Sequence, residues 1–236
     1  MTRRLLVIPL VVVGVITAAV YIYINYNPGG LRAARVISWI RAPAPNDERI
    51  ITIGSRCGEA PFLFPTTGIA GFLWDDSFRL GHRHQGVDIF SGTDVNVTPV
   101  VAAYPGFLTR LPEWKSTVIV RVPRDPLQPG RQIWVYYTHM ADAAGNSFIS
   151  TEFPPGTFER ALEAGTLLGR QGDYSGDPNN PVGVHLHVSI VKDEGGRFMN
   201  ELEIGNTVDP SPYFGLALNA RQSPDDAPVC QDLRTE

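Results

Sequence analysis

The chain has 236 residues, enough for one domain with appendages or for two small domains. Its hydrophobic content of 43% allows a sizeable core, and its net charge of −4 leaves no basic footprint, so no nucleic-acid partner is expected. With 23 glycines and 20 prolines it is rich in turns, and the segments between them favour β-structure.

The N-terminus differs from the rest. After "MTRR", Leu5 to Ile24 form an uncharged apolar run about as long as a membrane-spanning helix. Pro9 lies near its start, and Tyr21 and Tyr23 lie at its far end, where aromatic residues favour the membrane interface. A cleaved secretory signal is the rival reading, but "VYIYINYN" makes a poor cleavage site. Residues 1–25 are therefore read as a single-pass anchor in the cytoplasmic membrane. Arg3 and Arg4 favour an inside N-terminus, while Arg32, Arg35 and Arg41 pull the other way.

Residues 26–49 read as a juxtamembrane helix and linker. "LRAARVISWIRA" has the spacing of a short amphipathic helix with its arginines on the polar face, suited to a membrane surface or to a plain connection. "PAPNDE" follows as a linker. Residues 50–214 form the folded domain. Within it "TPVVAAYPGFLTRL" turns at Pro105-Gly106, "STVIVRV" and "QIWVYYTHM" form a hairpin around "PRDPLQPGR", and "VHLHVSIV" is a further strand. "TFERALEAG" is the one helical piece. Residues 215–236 are a polar, irregular tail held by Cys230. The only two cysteines, Cys57 and Cys230, bracket the domain and are predicted to pair as a disulfide outside the cytoplasm.

Five histidines are present, and four of them fall in two short stretches, "HRHQGVD" and "HLH". In "HQGVD" the four-residue spacing puts His84 and Asp88 on one face, and Gly86 disfavours a helix. An extended segment would turn Gly86 to the same side and leave room for an ion. In "HLH" on a strand, His185 and His187 share a face. Imidazole and carboxylate are both good zinc ligands. His84, Asp88 and one histidine of "HLH" would make three protein ligands, with the fourth position left to water. The other histidine of that pair and His139, at the end of "VYYTH", are left for acid–base work. His139 is expected to approach from the opposite side of the groove. His82 has no assigned role.

These pieces resemble the lysostaphin/LytM-type zinc endopeptidases of bacterial peptidoglycan, across roughly residues 61–209. "GHRHQGVDIF", "TPVVAAYPGFL", "STVIVRV", "WVYYTHM", "AGTLLGRQGDYSG" and "GVHLHVSI" follow one another in that family's order. The resemblance implies a mainly β fold, with an antiparallel β-sandwich-like core of the duplicated hybrid motif type behind the N-terminal transmembrane helix. It implies that His84, Asp88 and His187 are the zinc ligands and that His139 and His185 are catalytic. It implies an endopeptidase that cuts peptide cross-links of peptidoglycan on the extracytoplasmic side of the membrane. Three departures stand out: an added polar turn from Asp177 to Asn180, a longer hairpin at "PRDPLQPGR", and Val188-Ser189 where a glutamate often follows the HxH. The alternative is an inactive relative that serves as a wall-binding scaffold or an activator of other wall hydrolases. A purely structural zinc site is disfavoured, because both cysteines lie outside the motifs.

Overall fold

The computed structural model describes residues 12–18, 30–44, 46–77, 81–222 and 226–230. The predicted membrane anchor lies mostly outside these. Its residues 12–18 are helical and exposed. Among the described residues no helix is long and apolar enough to cross a membrane.

The domain is mainly antiparallel β, as predicted. Helix α1 (Gly30–Arg41) is followed by β1 (Ile69–Phe72), β2 (Val87–Phe90), β3 (Pro99–Val101), β4 (Gly106–Thr109), β5 (Val118–Val122), β6 (Ile133–Thr138), β7 (Arg160–Leu162), β8 (Leu167–Arg170), β9 (Leu186–Glu194), β10 (Arg197–Phe198), β11 (Thr207–Val208) and the short helix α2 (Ser211–Phe214). The main sheet runs β1-β2-β9-β6-β5-β4-β7, with β10 and β11 also paired to β9, and β3 and β8 form a second, two-stranded sheet.

Side-chain alternation divides the main sheet into two faces. Val87, Ile89, Val118, Val120, Val135, Tyr137, Leu186 and Val188 join one core with Val100 and Leu168 of the small sheet and with Phe62, Phe64 and Phe214. Burying each such aliphatic side chain contributes about 1.5–3 kcal/mol. The intervening residues, Asp88, Tyr136, Thr138, His187 and Ser189, fall on the opposite face. Most of them are also buried, so β9 is buried through six consecutive residues, Leu186 to Val191.

Three local expectations change. "TFERALEAG" is not a helix: Arg160–Leu162 pairs with β4 as an edge strand, Glu159 has φ +49°, and Gly165 turns the chain at φ +84°. A single apolar residue, Leu162, is buried there, too little to support a helix face. Helix α1 lays its apolar stripe on the domain. Val36 and Trp39 pack with Ile69, Phe90 and Ala227. Arg32, expected on the polar face, shares that stripe at the i, i+4, i+7 spacing and is fully buried. The segment after Phe214 is irregular, as expected, but more than Cys230 holds it: Leu216, Leu218 and Ala220 are buried, and Asn219 bridges to Trp74.

Cys57 and Cys230 are bonded, with Cα atoms 5.3 Å apart across a sequence separation of 173. The chain-entropy estimate for closing so long a loop is about 5 kcal/mol, less whatever order the ends keep without it. Replacing both cysteines by serine is expected to lower unfolding free energy by up to about 5 kcal/mol. Denaturant titration of the oxidised protein against the variant measures this, and coincident curves would show that the bond adds nothing.

Candidate metal centre

Strand register assembles the site. Asp88 on β2 lies opposite His187 on β9, and His187 lies opposite Thr138 on β6. One row further along β6 and β9, Tyr136 faces Ser189. The residues of each row sit side by side on the non-core face. His84 precedes β2, and its backbone N–H donates to the Asp76 carbonyl at 2.7 Å. Gly86 does not leave the room for an ion that its spacing predicts. The structure puts β9 there instead: a Cβ at position 86 would lie 2.3 Å from the Val188 carbonyl oxygen, 2.5 Å from Ser189 Oγ and 2.8 Å from His187 Nε2. The glycine is needed for close strand approach, and the ion's place lies between the side chains.

Three donor atoms converge. His84 Nε2 is 3.1 Å from His187 Nδ1 and 3.2 Å from Asp88 Oδ1, and His187 Nδ1 is 2.7 Å from the same oxygen. Ligands of a tetrahedral ion with bonds of about 2.0–2.2 Å stand about 3.3–3.6 Å apart, so a widening of less than about 1 Å at each separation, largest between His187 and Asp88, admits one. Among the described residues this is the one group of histidines, cysteines or carboxylates close enough to hold a metal. The donor set of two imidazoles and a carboxylate suits zinc and leaves a coordination position open.

Each imidazole is oriented from its far nitrogen. A carbonyl can only accept, so His84 Nδ1–H donates to Leu73 O at 2.9 Å and Nε2 is the nitrogen presented to the site. His187 Nε2 contacts the Ser189 hydroxyl at 2.8 Å, and a hydroxyl can serve either tautomer. His185 Nδ1–H donates to Gly183 O and His139 Nδ1–H to Tyr174 O, both at 2.6 Å. This leaves each of them a lone pair on Nε2, and that of His185 is 3.6 Å from Asp88 Oδ1. Phe90 stacks on the His185 ring with centroids 5.0 Å apart. His139 does not flank the site from the opposite side as expected. Its ring lies beside that of His185, centroid to centroid 4.4 Å, because the turn after β6 places it there with φ +71°.

Electrostatics separates the roles. Burial works against the Asp88 carboxylate, but the charges of His84 and His185 and hydrogen bonds from His187 and His84 hold it well below the usual carboxylate range. Burial likewise opposes protonation of His84, yet the charge and hydrogen bond of Asp88 raise it. His139 goes the other way: burial and the neighbouring His185 pull it down to about 3. His185 is also lowered, by burial first, against the opposing pull of Asp88. Near neutral pH both are uncharged bases beside the three-donor group.

The cluster lies in a groove of about 680 Å³, walled by Trp114, Lys115, Tyr174, Gly183, Gln85 and Leu202 and floored by Tyr136 and Thr138. His82 is half-buried and lies outside the groove lining. Several groove residues were not foreseen from sequence. Tyr136 is two residues before Thr138, and Ser189 is two after His187, so strand alternation alone could have placed both on the site face. Burial and the charge of Glu201 push Tyr136 up to about 12, which keeps its hydroxyl a donor. Trp114, Glu201 and Leu202 come from distant loops that carry no local signal.

Gly86→Ala is expected to force β2 from β9 and to destabilise the domain by about 1–3 kcal/mol. Thermal unfolding reads this as a fall in Tm of roughly 2–12 °C. An unchanged Tm would mean that the two strands can part at this point without cost.

No protein-family model and no curated protein matches this chain. Solved structures do. The catalytic domain of the antimicrobial peptidase lysostaphin from Staphylococcus simulans aligns at 17% identity and a TM-score of 0.40, over 61% of this chain and 88% of that one. A Ruminococcus gnavus protein described as a LytM-type glycyl-glycine endopeptidase aligns at 23% identity and 0.36, over 62% of this chain and only 50% of its own length. The catalytic domain of the prophage-encoded M23 protein EnpA from Enterococcus faecalis aligns at 18% identity and 0.37, over 64% and 98%. The chain is thus similar to peptidase domains of the group that its histidine motifs resemble.

Proposed function

We propose that this chain is a zinc-dependent endopeptidase of the lysostaphin/LytM type. It would hydrolyse peptide cross-links of bacterial peptidoglycan outside the cytoplasmic membrane. The observation that carries the reading is the convergence of His84, Asp88 and His187 on one point, with the neutral imidazoles of His185 and His139 alongside. Zinc would be held by His84, Asp88 and His187, and it would supply Lewis acidity toward a peptide carbonyl and a water acidified towards a pKa of about 7.

The chain's own groups do the rest. Asp88, kept ionised, balances positive charge in the buried centre. His185 Nε2 would take a proton from the attacking water and return that proton to the departing amine, with the neutral His139 imidazole beside it as a second acceptor. The Tyr136 hydroxyl, kept protonated, is a donor for the oxyanion that develops on the scissile carbonyl. A groove of about 680 Å³ lined by aromatic and polar side chains suits a flexible peptide segment. The apolar run from Leu5 to Ile24 would supply the anchor, and the Cys57–Cys230 bond suits the oxidising side of the membrane. The inactive-scaffold reading is less favoured, because every donor the chemistry needs is present and oriented.

Metal analysis of the purified chain is expected to find one zinc per molecule, lost in Asp88→Ala with the β-structure kept. His139→Ala and His185→Ala are each expected to keep zinc while peptide release from purified wall, followed by mass spectrometry, falls about 10²–10⁴-fold. A wild-type rate in either variant, or full zinc in Asp88→Ala, would overturn the assignment of roles.

A further inference from the structure

Helix α1 is wired into the support of the candidate metal centre. Gly71 of β1 lets it settle closely, since a Cβ there would lie 2.6 Å from Val36 Cγ1. On the same buried stripe Arg32 is fully buried, and its guanidinium pairs with the Asp76 carboxylate, itself 1% exposed. Removing both charges from water is costly, so such a pair is weak as a source of stability. What it does supply is a fixed position for Asp76.

Asp76 reaches His84 by two routes. Its Oδ2 accepts the Leu73 N–H at 2.6 Å, and the Leu73 carbonyl accepts the His84 Nδ1–H at 2.9 Å. Its own carbonyl accepts the His84 backbone N–H at 2.7 Å. The residue held by Arg32 therefore holds both the main chain and the ring of His84. The preceding residue, Asp75, is in the left-handed region at φ +67° and donates its N–H to the His84 carbonyl at 2.9 Å, a second backbone hydrogen bond between the two segments.

We infer that Arg32 is a positioning residue for the metal centre: its buried ion pair with Asp76 fixes the groups that orient the His84 imidazole, so that this pair sets the affinity of the site for its metal. This rests on the zinc reading proposed for the site. It also ties the segment that precedes the domain to the readiness of the groove, because lifting α1 would release Asp76 and loosen one of the three ligands.

The test is zinc affinity, measured on the full chain in detergent by competition with a chromophoric chelator. Arg32→Met, folded by circular dichroism, is expected to bind zinc about 10–100-fold more weakly than wild type. Val36→Ala, which loosens the same helix without touching Asp76, is expected to lower Tm but to keep the zinc Kd within about threefold. A folded Arg32→Met variant with wild-type affinity would overturn the inference, and so would an equal loss in Val36→Ala. Should Arg32→Met fail to fold, Arg32→Lys carries the test. It keeps the charge but replaces a planar fork by a point contact, and is expected to weaken zinc about 3–10-fold, whereas unchanged affinity would overturn the proposal. A wild-type chain that takes up no zinc would overturn the metal reading itself and this inference with it. Zinc bound by wild type and equally by Arg32→Met would overturn this inference alone.

Discussion

Between β2 and β9 the two backbones approach so closely at Gly86 that a methyl group there would strike the Val188 carbonyl. That approach sets the pairing of Asp88 with His187, and the pairing sets most of the site. Strand side chains alternate, so a slip of one residue would send Asp88 and His187 into the apolar core and bring Val87 and Val188 to the groove. The apolar face of the same strands opposes such a slip: Ile89, Leu186 and Val188 are at most 1% exposed and belong to the main core. The chemistry on one face is thus held in register by the packing on the other.

The buried centre brings one carboxylate among four imidazoles, an arrangement stable only when every polar atom has a partner. The main chain provides most of them. Carbonyls of Leu73, Gly183 and Tyr174 each take one ring N–H, and the Ser189 hydroxyl serves the fourth ring. A carbonyl acceptor settles which nitrogen faces the centre before any metal or substrate arrives, so little reorganisation is left for the moment of reaction. Ser189 stands where the family resemblance leads one to expect an acidic residue nearby. A neutral hydroxyl leaves Asp88 as the one carboxylate in direct contact with His187 among the described residues.

The two ends of the chain close around this scaffold. Helix α1 covers the β1 edge and reaches the site through Arg32 and Asp76. The segment after α2 returns past Trp74 and is bonded at Cys230 to Cys57. Trp74 and Asp76 belong to one stretch, so both ends bear on the turn that carries His84. The placement of His84 thus depends on the whole domain rather than on the motif "HQGVD" alone.

Local patterning in the sequence determined the strands β5, β6 and β9, the shared face of His185 and His187, and the cysteine pair, because a period of two and a count of two cysteines are readable without knowing what packs where. The four-residue spacing also placed His84 and Asp88 together, and the resemblance singled out His187 among the "HLH" pair. Tertiary structure alone decided the rest. That His187 offers Nδ1, that His139 stands beside His185 rather than across the groove, and that Gly86 admits a strand rather than an ion are all consequences of inter-strand register. Arg32 reads as one more polar-face arginine until Asp76, 44 positions away, is seen beneath it. "TFERALEAG" has helical spacing, yet the open edge of β4 recruits it as a strand. In each case the deciding partner is distant in sequence, and no local period records which distant backbone or charge a segment will meet.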